Sequence, residues 1–75
     1  MFDRNKFSLR LRELRLNNSL KQKDLGQILE VTDAAITQLE KGKRSPSIEL
    51  AVALADYFDV SLDYLVGRSD DPARR

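Results

Sequence analysis

The sequence contains no cysteine and no histidine. Their absence excludes disulfide frameworks, zinc fingers, thiol nucleophiles and catalytic triads built on histidine. We therefore expect no metal site, no cofactor and no enzymatic activity. No apolar run approaches the roughly 20 residues that are needed to span a bilayer, and residues 2–6 lead into a charged helix instead of a signal peptide. These absences predict a cytoplasmic protein.

The chain is short and rich in both apolar and charged residues. Its 75 residues, of which 41% are hydrophobic and 33% charged, are typical of one globular helical domain and leave no room for a second core. Residues 1–67 are predicted to form this domain, and residues 68–75 a flexible C-terminal tail. A domain of this size has a small core, so its stability depends on efficient packing or on a second copy of the chain.

Charge is distributed unevenly along the chain although the net charge is only +1. Residues 1–23 carry seven basic and two acidic side chains, whereas residues 48–75 carry three basic and six acidic ones. A chain with one basic and one acidic end can turn one face towards a polyanion and keep the other face away from it.

Helical periodicity runs through the sequence, and no strand-like alternation is sustained. The spacing predicts five short helices, approximately over residues 7–17, 22–29, 33–41, 48–58 and 62–66. The inward side of the fourth helix is predicted to include Ile48, Ala51, Leu54, Ala55 and Phe58. Thr32, Ser47 and Ser61 are the expected N-caps of the last three helices. Only about three residues separate the second and third helices, and so short a turn forces the steep crossing of a helix-turn-helix.

The segment from Gln22 to Glu40, followed by the loop Lys41–Ser47, resembles the Cro/phage-repressor (Xre-type) helix-turn-helix. The resemblance covers residues 7–66 and includes a glutamine that opens the second helix and a glutamate that closes the third. It implies an all-α, lambda-repressor-like bundle of five short helices that binds double-stranded DNA. The third helix would then enter the major groove.

The resemblance also assigns DNA-binding roles to individual residues. The residues that it places towards bases or the adjoining backbone are Thr32, Asp33, Ala34, Thr37 and Gln38. Gln22 matches a glutamine that contacts phosphate in the family. The cations that flank the third helix are also suited to contact phosphates: Lys21, Lys23, Lys41, Lys43 and Arg44. Arg15 and Glu40 match a partly buried ion pair between the first helix and the end of the third. The alternative is that these polar side chains form ordinary solvated surfaces.

Four positions depart from the family pattern. Gly26 stands where alanine is usual, and Glu30 stands where glycine often adopts a left-handed turn, so mild strain is expected there. Asp33 suits the helix dipole but is repelled by phosphate, and its open alternative is to hydrogen-bond Gln22 and orient it. Lys21 replaces the usual Ser or Thr cap, which predicts a loose start to the second helix.

The leading functional hypothesis is a DNA-binding transcriptional regulator, most often a repressor, that dimerises on a two-fold operator. The expected dimer surface comprises Tyr57, Tyr64, Leu65 and Val66, with core filling as the alternative for Leu65. The rival hypothesis is a protein-interaction module on the same scaffold, such as an antitoxin or an anti-repressor partner. A steep salt dependence of DNA affinity would separate the two hypotheses.

Overall fold

Five α-helices follow one another in the computed structural model, which describes residues 1–74. The helices are α1 Arg4–Asn17, α2 Gln22–Leu29, α3 Asp33–Glu40, α4 Ile48–Phe58 and α5 Leu62–Leu65. The prediction of an all-α fold is therefore confirmed, and every helix overlaps its predicted range. Within residues 1–74, no helix is long and apolar enough to cross a membrane.

Short polar side chains begin four of these helices. Asp3, Thr32, Ser47 and Ser61 each accept a hydrogen bond from the backbone N–H three residues later, at 3.0–3.1 Å. Such a bond satisfies one of the amides that the first turn leaves unpaired. The last three caps agree with the prediction, whereas the cap at Asp3 starts α1 three residues earlier than the apolar stripe indicated.

The turn between α2 and α3 is tight and contains a strained residue. Glu30 ends α2 with φ of 60°, in the left-handed region, as its place in the family pattern predicts. The N–H of Val31 then donates to the carbonyl of Gly26 at 2.8 Å. A Cβ on Gly26 would lie 2.8 Å from the carbonyl oxygen of Val31, so the two helices approach too closely here for a larger residue without a shift.

The core draws on all five helices. Its fully buried large side chains are Phe7, Leu11, Leu25, Ile36, Leu39, Leu54 and Leu65. Ser8 adds a buried polar link, because its hydroxyl contacts the carbonyl of Leu39 at 2.8 Å and so joins α1 to the end of α3. The prediction that Ile48 points inward is wrong. Ile48 is 70% exposed, because the covered stripe of α4 begins one turn later, at Ala51.

The predicted tail lies against the domain over its described residues, 68–74. The guanidinium of Arg10 donates to the Ser69 carbonyl at 2.8 Å and to the Asp70 carboxylate at 2.6 Å. That hydrogen bond, together with the charge of Lys6, lowers the pKa of Asp70 below its ordinary value. Further along, the N–H of Ser61 donates to the Pro72 carbonyl at 3.0 Å. The domain boundary after residue 67 stays a prediction, and residue 75 lies outside the described residues.

Candidate nucleic-acid interface

Helix α3 has one buried and one exposed side. Ile36 is completely buried and Leu39 is 1% exposed, so these two side chains attach the helix to the core. The side chains predicted to face bases lie elsewhere on the helix: Thr32, Asp33, Ala34 and Gln38 are exposed, and Thr37 is half-buried. The helix therefore presents small and polar groups to solvent along most of its length, which is the surface that a major groove can accommodate.

The start of α3 is organised by its own side chains. The Thr32 hydroxyl accepts from the backbone N–H of Ala35 at 3.0 Å. The Asp33 carboxylate accepts from the N–H of Ala34 at 2.9 Å. The alternative that Asp33 orients Gln22 is not observed, because both ends of the Gln22 amide have partners on other residues of α3.

Gln22, at the first position of α2, is oriented instead by the second half of α3. The Thr37 hydroxyl donates to the Gln22 carbonyl oxygen, Oε1, at 2.7 Å. The amide nitrogen of Gln22, Nε2, donates to Oε1 of Glu40 at 3.3 Å. Both ends of this side-chain amide therefore have partners on α3. These two contacts hold the beginning of α2 beside α3, the helix that is expected to enter the major groove.

The ion pair expected between Arg15 and Glu40 is present. Nε and Nη2 of Arg15 donate to the two carboxylate oxygens of Glu40 at 2.6 and 2.9 Å. The third donor, Nη1, contacts the Leu20 carbonyl at 2.9 Å. The two side chains are only 10% and 5% exposed. The hydrogen bond and charge of Glu40 raise the pKa of Arg15 although burial opposes the shift. The pair links α1 to the end of α3.

The cations predicted to contact phosphate are all accessible. Lys21, Lys23, Lys41, Lys43 and Arg44 are exposed, and none of them has a carboxylate oxygen within 4.0 Å among residues 1–74. Their charges are thus free to interact with an external anion. Lys21 provides no side-chain cap to α2, as its chemistry predicts, whereas the Asp24 carboxylate accepts from the backbone N–H of Lys21 at 2.9 Å; the loose start of α2 stays a prediction.

Two contacts of this region were not predictable from the sequence pattern. Arg4 donates from Nε to the hydroxyl of Ser45 at 3.2 Å, and so ties the start of α1 to the basic loop 41–46. The Thr37–Gln22 hydrogen bond joins residues 15 positions apart. No local signal encodes either contact, since each depends on how separate helices pack.

The predicted dimer surface is only partly available. Leu65 is completely buried, and its assignment to a dimer surface is wrong because it fills the core. Tyr64 is half-buried, and the Arg10 guanidinium lies 4.2 Å from its ring centre. Tyr57 is 43% exposed and packs edge-on against the ring of Phe58. Val66 is half-buried. Tyr57 is thus the most accessible member of the set.

Comparison with known proteins gives results consistent with this geometry. A family model described as "Helix-turn-helix" matches residues 11–65. An uncharacterised HTH-type transcriptional regulator of Bacillus subtilis, YobD, is 33% identical over 63 residues, which cover 84% of this chain and 56% of YobD. Another, MJ0272 of Methanocaldococcus jannaschii, is 36% identical over 62 residues, covering 83% of this chain and 94% of MJ0272. The chain thus spans nearly all of one curated relative and about half of the other.

A solved structure shares the fold. The P22 c2 repressor protein, crystallised in complex with synthetic operator 9T, superposes with a TM-score of 0.78 at 30% sequence identity. The match covers 84% of this chain and 96% of the repressor chain. The family model, the two relatives and the solved structure therefore all point to a helix-turn-helix protein.

Proposed function

This chain belongs to the helix-turn-helix family typified by Cro and the phage repressors, and on that premise we propose that it is a sequence-specific regulator of transcription that binds double-stranded DNA. The observation that carries the proposal is the division of α3 into two sides. Ile36 and Leu39 are buried, while small polar side chains face outward and the helix is flanked by exposed cations that have no carboxylate partner among residues 1–74. A regulator of bacterial or phage DNA acts in the cytoplasm, and we propose that location.

Base recognition is assigned to the exposed side of α3. The Gln38 amide can form a bidentate pair with adenine, and Ala34 can contact a thymine methyl group. Asp33 can accept a hydrogen bond from cytosine N4, and Thr32 and Thr37 complete the set. Each good pair contributes about 1–3 kcal/mol of discrimination against the wrong base.

Phosphate contacts are assigned to both flanks of α3. Gln22 lies at the amino end of α2, where free backbone amides and the helix dipole favour an anion. An exposed lysine lies on each side of Gln22 in the sequence. Further cations lie at the end of α3 and in the loop that follows it. The set is Lys21, Lys23, Lys41, Lys43 and Arg44. These contacts would fix the orientation of α3 in the groove without reading sequence.

Dimerisation on a two-fold operator follows from the size of the domain. The described chain is 28 Å in its longest dimension, whereas successive major grooves on one face of DNA lie roughly 34 Å apart. One copy therefore reads one half-site, and two copies related by a two-fold axis would read both. We propose repression as the mode of action, in which an occupied operator would block access of polymerase to the promoter.

Selection of bound sequences from a random DNA pool tests the proposal. A palindromic consensus with half-sites about one helical turn apart is expected from a dimer, and affinity should fall steeply with salt because several phosphate contacts release counterions. The rival module for protein interaction predicts no binding even at low salt. The relatives described as transcriptional regulators favour the DNA-binding hypothesis.

A matched pair of variants tests the role of α3. Gln38→Ala should lower the preference for one operator base by roughly 1–3 kcal/mol and leave non-specific binding unchanged. Gln27→Ala makes the same chemical change at an exposed position of α2 and should leave the base preference intact. An equal loss of affinity of Gln38→Ala for every sequence would contradict base reading by this residue.

A further inference from the structure

The Glu40 carboxylate determines which way the Gln22 amide faces. An ionised carboxylate can only accept hydrogen bonds, and its Oε1 lies 3.3 Å from Nε2 of Gln22. If the amide were turned by half a rotation, its carbonyl oxygen would face the carboxylate with no proton between the two acceptors. Glu40, itself held by Arg15, therefore keeps the NH2 group of Gln22 towards itself and the carbonyl towards Thr37.

Two acceptors within the protein compete for the only proton of the Thr37 hydroxyl. A threonine hydroxyl has one proton to donate and two lone pairs to accept with. Oγ1 of Thr37 lies 2.7 Å from Oε1 of Gln22 and 3.0 Å from the backbone carbonyl of Asp33. Both neighbours are acceptors, so the proton is used within the protein whichever of them receives it. Only lone pairs remain for a ligand.

We infer that Thr37 is a specificity-determining residue that accepts hydrogen bonds from bases in the major groove and does not donate them. This inference rests on the proposed binding of α3 in that groove. Adenine and cytosine each display an amino group in the major groove, at N6 and N4, whereas guanine and thymine display only acceptors at the corresponding positions. Thr37 thus favours adenine or cytosine on the strand that it contacts. Glu40 orients the Gln22 amide that Thr37 contacts.

Two substitutions that leave the Arg15–Glu40 pair in place test this inference. The wild-type chain is expected to select adenine or cytosine at one position of the half-site. Thr37→Val keeps the shape but removes the hydroxyl, and should reduce that preference about tenfold, the value of one hydrogen bond to a base. Thr37→Ser restores the hydroxyl and should restore the preference. The position read by Gln38 should be unaffected in both variants.

A chemical change on the DNA closes the test. The selected base is replaced by an analogue that lacks the exocyclic amino group. The wild-type chain should bind this altered DNA about tenfold more weakly than the original DNA. The Thr37→Val variant should bind the two DNAs equally well.

The outcomes separate this inference from the proposed function. If the wild-type chain selects no DNA sequence, both the proposed function and this inference are refuted. If the chain selects a sequence but Thr37→Val changes no position, only the inference is overturned. The same holds if the affected position prefers guanine or thymine, or if Thr37→Ser loses as much preference as Thr37→Val.

Discussion

Removing the Glu40 carboxylate should destabilise the fold because it leaves the Arg15 guanidinium buried without its partner. In Glu40→Ala, Nε and Nη2 of Arg15 lose their acceptors at 2.6 and 2.9 Å. The amide nitrogen of Gln22 loses its acceptor as well. Water cannot fully replace these partners, since the Arg15 side chain is only 10% exposed.

The expected cost follows from the number of stranded donors. Breaking a buried pair by removing one partner costs about 3–5 kcal/mol. Nη1 of Arg15 keeps its bond to the Leu20 carbonyl and the guanidinium retains some access to water, so the lower end, about 3 kcal/mol, applies. The better helix propensity of alanine offsets only a few tenths of a kcal/mol. For a domain of this length the melting temperature should fall by roughly 12–24 °C.

Thermal and urea denaturation followed by circular dichroism provide the measurement. Glu13→Ala is the matched control, because Glu13 is an exposed glutamate of α1 and should change stability by less than about 0.5 kcal/mol. The double variant Arg15→Met with Glu40→Leu should recover most of the loss, since apolar groups of similar volume replace a buried pair at little cost. An unchanged melting temperature in Glu40→Ala would refute the reasoning.

Three further predictions concern the turn and the C-terminal segment. Gly26→Ala should lower the free energy of unfolding by about 1 kcal/mol, because the new Cβ would lie 2.8 Å from the Val31 carbonyl oxygen and this overpacking outweighs the gain in helix propensity. Equal urea midpoints for the variant and the wild type would contradict this. Glu30→Gly should raise stability by about 0.5 kcal/mol by relieving a left-handed backbone, and a lower midpoint would show that Glu30 is not strained. The carboxylate of Asp70 has a pKa lowered from its ordinary value of 3.8, so its attachment of the tail to Arg10 is fully present above 3.8 and is lost as the pH falls through the lowered pKa. Backbone NMR relaxation should then show the tail loosening in acid, and Asp70→Asn should show the same loosening at neutral pH; a tail that stays ordered in both would refute the role of this carboxylate.

Much of the fold was predictable because it depends on neighbouring residues. The caps Thr32, Ser47 and Ser61 and the buried side of α3 follow from side-chain chemistry and from the helical repeat. The ion pair between Arg15 and Glu40 was recognisable through the resemblance to a family. The sequence pattern does not show whether an apolar side is covered, and for this reason it wrongly predicts that Ile48, which is exposed, points inward.

The sequence by itself determined where α3, α4 and α5 begin and which side of α3 is apolar, because capping and periodicity act over a few residues. Only the tertiary structure decided that Thr37 contacts Gln22, that Leu65 fills the core and that the segment after residue 67 lies against α1 and α5. These outcomes depend on contacts between residues 15 or more positions apart, or on packing between helices. Such contacts form when whole helices settle against one another, and no short stretch of the chain encodes them.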